Sequence, residues 1–191
     1  MKAGKQTVSE RNPRRESITW RQSNLINQMA TRILGRSLLD PIDLSSGSPT
    51  SADFLDIPSW VTKITVTGAG VSTNGTSALL LQLGDSGGIE TTGYLGAASS
   101  LSTGAASSTS TTGFLLRQGS AANVMHLAYT FHLHDESSNQ WVGAGSMAFD
   151  AAATVLSGGS KSLSGRLTTV RLTTVNGTDT FDAGSVALRF E

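Results

Sequence analysis

The chain of 191 residues is long enough for one domain with a real core plus an appendage, and only 15% of it is charged. It holds no cysteine, which excludes a disulfide framework and a thiolate metal site. Formal charge is zero, but residues 1–40 carry eight basic and three acidic side chains (+5), and residues 41–191 carry six and eleven (−5). The bulk is Gly, Ser, Thr and Ala, with Leu and Val supplying most apolar side chains. That mixture suits strands and turns better than helices, and predicts an all-β domain rather than an α/β enzyme.

From the N-terminus, residues 1–16 are basic and polar without an apolar core, so they do not read as a secretory signal. No stretch approaches the ~20 apolar residues of a membrane span. The expectation is a protein made in a cytoplasm, without membrane contact. An arm of this charge docks on something acidic. Trp20 is its one aromatic residue and no nucleic-acid motif is present, so an acidic protein surface is favoured over nucleic acid. Ser23 can cap a helix over about 24–36, with Leu25, Ile26, Met29 and Ile33 on one face and Arg32 and Arg36 in the last turn. An isolated helix of this length is marginal in water, so the stripe packs on its own domain, on copies of itself or in a larger assembly. Arg14, Arg15, Trp20, Leu25, Ile26, Met29 and Ile33 are the candidate anchoring residues. The arm is taken as 1–43, followed by a Gly/Ser/Pro-rich linker at 44–52 and a β domain over 53–191.

In that domain Trp60, Thr62, Ile64 and Val66 alternate with Val61, Lys63 and Thr65, which reads as a half-buried strand. Asn74-Gly75 leads into Leu79–Leu83, and Asn176-Gly177 into Val186–Phe190. Asn-Gly tolerates the positive φ of hairpin turns, so both triplets, which also match the N-glycosylation pattern, are taken as turns. Further strands are expected over 113–117, 124–134, 141–149 and 163–174. Many short strands between turns predict an antiparallel β-sandwich, jelly-roll-like. The final strand reaches Glu191, so truncation there should be poorly tolerated. Residues 97–112, nearly free of charge and bulk, read as a long surface loop, where recognition usually sits. Tyr94, Ser99, Thr103 and Ser107 are the candidate recognition residues.

The chemical motifs are sparse. His132 and His134 are two apart on an expected strand, with His126 and Asp135 nearby. The pair could ligate a metal, the alternative being two exposed or interface histidines. Gly84-Asp85-Ser86-Gly87-Gly88 is similar to the Gly-Asp-Ser-Gly of serine proteases, but reads as a glycine-rich turn, with no helix after it to form a nucleophile elbow. Asp179 and Asp182 read as solvated turn acids. No cofactor fingerprint and no catalytic residues are assigned.

Three separated stretches carry a resemblance: Ile57–Val66 (IPSWVTKITV) with Gly70–Ser77 (GVSTNGTS), Gln82–Tyr94 (QLGDSGGIETTGY) and Val170–Gly184 (VRLTTVNGTDTFDAG). Together they resemble a C-terminal module of tailed-bacteriophage tail-fibre and other virion-surface proteins. The resemblance covers roughly residues 55–191 and not the arm. It implies a non-enzymatic structural virion protein, assembled in the host cytoplasm and commonly homotrimeric; that residues 1–43 hold it to other virion proteins is expected from the charge and apolar stripe of the arm, not from the resemblance. A short tail-fibre or tail-tip protein would present the sandwich to a host glycan or protein, with Trp60, Trp141 or Tyr94 as stacking platforms. The alternatives are a capsid decoration or head-fibre protein and, third, a virion-associated hydrolase.

Overall fold

The computed structural model describes residues 37–101, 106–116, 120–121, 123–149 and 153–191. A compact unit spans Ser37–Glu191, apart from residues 1–36. The helix expected at 24–36, all seven candidate anchoring residues and Thr103 lie outside the described residues.

The unit is mainly β, with no helix among the described residues. Its strands are β1 (Ser37–Leu38), β2 (Ile42–Asp43), β3 (Ser51–Phe54), β4 (Lys63–Thr73), β5 (Leu79–Asp85), β6 (Gly88–Ile89) and β7 (Tyr94–Leu101). Then follow β8 (Ala106–Ser110), β9 (Phe114–Leu116), β10 (Met125–Asp135), β11 (Gln140–Phe149), β12 (Ala153–Ser162), β13 (Thr169–Thr174) and β14 (Phe181–Phe190). Every pairing is antiparallel. The larger sheet runs β1-β14-β4-β10-β11-β12-β7-β8, with β2 also on β14. The smaller runs β3-β13-β5-β6, with β9 sharing the β6 edge of β5.

The two sheets share one core. Phe114 of β9 enters from the smaller sheet and meets Tyr94, Tyr129 and Phe131 of the larger, edge-on or tilted, at centroid distances of 4.9–5.8 Å. Such geometry aligns ring edges with ring faces and adds to the area buried. Two inward glycines of β11 make room for these rings: a Cβ on Gly143 or Gly145 would come within 2.6 Å of Tyr129.

Five expectations change. Residues 44–52 are no linker: Leu44 is fully buried, its N–H donates to the Gly184 carbonyl at 2.9 Å, and Ser51 already begins β3. The Gly and Ser there serve a turn, with Gly47 and Ser48 at φ of 74° and 48°, that carries the chain from one sheet to the other. Residues 97–112 are largely the β7–β8 hairpin. Small side chains are required there, since a Cβ on inward-facing Gly96 would sit 2.8 Å from the Gly113 carbonyl oxygen. Neither Asn-Gly makes a hairpin: β4 to β5 and β13 to β14 both pass between sheets, and of the two glycines only Gly177 has positive φ. Trp60 lies in a turn before β4, and the strand expected over 163–174 is confined to Thr169–Thr174.

Candidate functional site

Alternation along β7 turns Tyr94, Gly96 and Ala98 inward and Leu95, Ala97 and Ser99 outward. Tyr94 is therefore no recognition residue or stacking platform. It is 1% exposed, its phenol held between β5 and the Glu90 carbonyl. Burial pushes that phenol well up from its ordinary value, and the charge of Glu90 adds to the effect. An aromatic ring between glycines and threonines looks solvent-facing in sequence; the period of two places it inside. Ser99 and Ser107 do come together, directly opposite each other and exposed on the β7–β8 hairpin.

They belong to a wider feature, the outward face of β11, β12, β7 and β8. Register places Val142 beside Ser160 and Ser160 beside Leu95. The next rungs place Leu156 between Ser146 and Ser99, and Thr154 beside Leu101. Leu95 is 74% exposed, and Leu101, Leu156 and Val142 are exposed with it. The other outward positions of these strands are Ala, Ser, Thr, Gly or Gln, and none of the described ones is charged. The sequence reading missed this face because β12 and the hairpin lack bulky alternation.

The histidines occupy the same sheet nearer its β14 side. His126, His132 and His134 are exposed along β10, alternating with Leu127, Phe131 and Leu133. His132 lies between Lys63 and Val142 in register, and the Gly70 N–H donates to His126 Nδ1 at 3.4 Å. Among the described residues no three His, Cys, Asp or Glu side chains converge as a metal site would require.

Ser86 sits at the tip of the two-residue turn joining β5 to β6, exposed. The structure does not bring it to a histidine, since all three lie on the outward face of β10 in the other sheet. Its neighbour Asp85 accepts the Gly87 N–H at 2.7 Å and the Ser164 hydroxyl at 2.7 Å. These bonds, Ser164 first, hold the Asp85 carboxyl below its ordinary value. Ser164 N–H donates to Glu90 at 2.6 Å, and Glu90 pairs with Lys161, whose side chain is 6% exposed. Burial pushes the Glu90 carboxyl up, but Lys161 and Ser164 outweigh it, and the net is downward. The Lys161 ammonium also lies 5.3 Å from the Tyr94 ring centroid. Every polar group of this cluster is satisfied by another, so it clamps the β5–β6 turn to the β12–β13 connection.

Both tryptophans of the unit pack on its core, Trp141 fully and Trp60 in part. Trp141 is buried and Trp60 packs edge-on against Phe190 at 5.6 Å. A small hollow beside Trp141, lined also by Pro58, Glu136, Asn139 and Arg166, has room for about one water molecule. Arg166 bridges the Ser59 carbonyl and Glu136 there.

The compact unit redraws the charge partition. Residues 1–36 hold eight basic and two acidic side chains (+6), and residues 37–191 hold six and twelve (−6). Comparison with protein families, curated proteins and solved structures returns no match to this chain.

Proposed function

We propose that the chain is a structural virion protein of a tailed bacteriophage, a short tail-fibre or tail-tip protein. Its basic N-terminal residues dock on an acidic virion surface. Its body is a jelly-roll-like β-sandwich that assembles as a homotrimer and is presented to the host surface. One observation carries the reading: the boundary of the compact unit coincides with the change of charge, +6 to −6 across residue 36. A basic segment joined to an acidic, glycine- and serine-rich β body suits a part that is fixed at one end and displayed at the other. The stretches that resemble phage virion modules supply β4 to β6, β13 and the start of β14, which span both sheets. The reading assigns no metal, cofactor or catalytic step.

Antibody raised to residues 37–191 and applied to purified particles tests it by electron microscopy. Label at the tail tip is expected. Label confined to the head replaces the fibre reading with capsid decoration, and particles without label overturn both. Loss of a polysaccharide- or cell-wall-degrading activity on Ser86→Ala would establish the hydrolase instead.

A further inference from the structure

The sequence holds two Asn-Gly pairs in near-identical settings, Thr73-Asn74-Gly75-Thr76 and Val175-Asn176-Gly177-Thr178. An asparagine before a glycine can close on itself. The glycine nitrogen attacks the side-chain carbonyl carbon, and the absence of a Cβ on the glycine leaves the approach open. In an unfolded chain the two pairs would react alike. The fold separates them.

At Asn176 every participant is held. Its Oδ1 accepts the Thr174 hydroxyl at 2.8 Å and the N–H groups of Thr178 and Asp179 at 3.1 Å each. Its Nδ2 donates to Asp179 at 2.6 Å, and the Gly177 N–H donates to the Thr174 carbonyl at 3.1 Å. Ring closure there must first turn the Gly177 nitrogen from its acceptor and swing the amide off Thr174, Thr178 and Asp179. At Asn74 the side chain has one bond, from the Thr180 N–H to Oδ1 at 2.9 Å. Among the described residues neither Asn74 Nδ2 nor the Gly75 N–H has a partner, and Asn74 is exposed to water. The single bond assists the reaction, because it puts a donor on the oxygen where negative charge develops as the nitrogen adds.

We infer that Asn74 is a self-modifying site, the position at which this protein deamidates, while the fold protects Asn176. The Gly75 nitrogen gives its proton to solvent and bonds to Asn74 Cγ. The Cγ–Nδ2 bond breaks, and Nδ2 takes up a proton and leaves as ammonia. Water then opens the cyclic imide at either carbonyl, leaving an aspartate or an isoaspartate at position 74. The net change is the gain of one water and the loss of one ammonia. The isoaspartate brings an extra main-chain carbon into a turn without space for one, since even a Cβ at Gly75 would come within 1.9 Å of the Asp179 carboxylate. Both products add a negative charge beside that carboxylate. Deamidation therefore loosens Asp179 from Ser77 and Asn176, the contacts that tie the β4–β5 connection to the β13–β14 connection. None of this depends on the virion reading.

The test follows the full chain through incubation at mildly alkaline pH and physiological temperature, with digested samples mapped by mass spectrometry. Asn74 should convert roughly tenfold or more faster than Asn176, since each hydrogen bond that must break first adds to the barrier. In denaturing urea the two rates should converge. Aged native protein should melt below fresh protein, whereas Asn74→Gln, whose longer side chain closes a ring far more slowly, should keep its Tm through the same incubation. Equal rates in the native protein, or a faster Asn176, overturn the site. A rate gap that persists in urea overturns the fold as its cause, and conversion without a fall in Tm overturns the loosening of Asp179.

Discussion

The Tyr94 hydroxyl receives the N–H of Leu83 at 2.8 Å and lies 2.9 Å from the Glu90 carbonyl, so a side chain of the larger sheet completes the edge of the smaller. The edge of β5 is paired by β9 at Leu79–Leu81 and by β6 at Gly84–Asp85. Leu83 falls in the gap between them, and the phenol fills it.

Removing that phenol strands a buried donor. Tyr94→Phe should cost about 1–3 kcal/mol, the range for an unsatisfied buried polar group. Tyr129 supplies the contrast: its buried hydroxyl has no hydrogen-bond partner of normal geometry, although the Ser157 hydroxyl, which donates to the Leu115 carbonyl at 2.6 Å, is its polar neighbour. Tyr129→Phe should therefore change stability by less than about 1 kcal/mol. Urea denaturation of both variants measures this. Equal losses would dismiss the bridging role of Tyr94.

Lys161 depends on Glu90. Glu90→Gln leaves a buried ammonium without its counter-charge and should cost on the order of 3 kcal/mol. Adding Lys161→Met, similar in length and neutral, should recover most of it. If the double variant is as unstable as Glu90→Gln, the pair is not the reason the lysine tolerates burial.

Gly75 is a glycine because of Asp179. A Cβ at Gly75 would overlap the Asp179 carboxylate at 1.9 Å, which accepts the Ser77 N–H at 2.9 Å and the Asn176 side-chain N–H at 2.6 Å. Gly75→Ala must push that carboxylate off both donors. Gly75→Ala and Asp179→Ala should each lower Tm by roughly 3–8 °C, and together by little more than one alone. Additive losses, read by calorimetry, would mean that the two Asn-Gly turns are not joined through this contact.

Stability should be bounded on both sides of neutral pH. Asp85, Glu90 and Asp179 have carboxyls held below their ordinary values of 3.8–4.5, so the stability they add is complete above that range and is lost as pH falls through and below it. Burial raises the Tyr94 and Tyr129 phenols above their ordinary 10.0. Their stability is present below about pH 10 and is lost as pH rises beyond it. Tm measured against pH should plateau between about 5 and 9, and Tyr94→Phe should soften the alkaline limb. A Tm that stays level down to pH 3 would contradict the acid side.

Legibility followed side-chain size. β10 reads directly from sequence because Leu127, Tyr129 and Phe131 alternate with small or polar residues, and all are buried. β5 reads as a strand because Leu79–Leu83 is a continuous apolar run. β7, β8 and β12 hide because Ala, Ser and Gly give no hydrophobic contrast between faces, even though Gly96 and Gly159 are held by backbone approaches of 2.8 Å and 2.3 Å that a Cβ would meet. Those approaches join segments far apart in the chain, which a local pattern cannot register. The same absence of contrast turned the apolar outward face into an expected loop. Tyr94 escapes the local pattern for a related reason: its contact with Leu83 is set by the approach of two sheets and not by its flanking residues.

The β4–β14 ladder has a consequence for how the molecule is made. Lys63 and Glu191, hydrogen-bonded at one end of it, are 128 positions apart, and among the described residues β1 and β2 pair with β14 alone. Closing so long a loop is entropically late and slow. Until it closes, one edge of β4 stands open in a sheet whose outward face over β11, β12, β7 and β8 is uncharged and carries exposed leucines, the combination that invites chains to stick to one another prematurely. Yield of correctly folded protein should then be governed by the rate of synthesis and by temperature more than by final stability, with slow expression in the cold favouring chains that close on themselves before they meet.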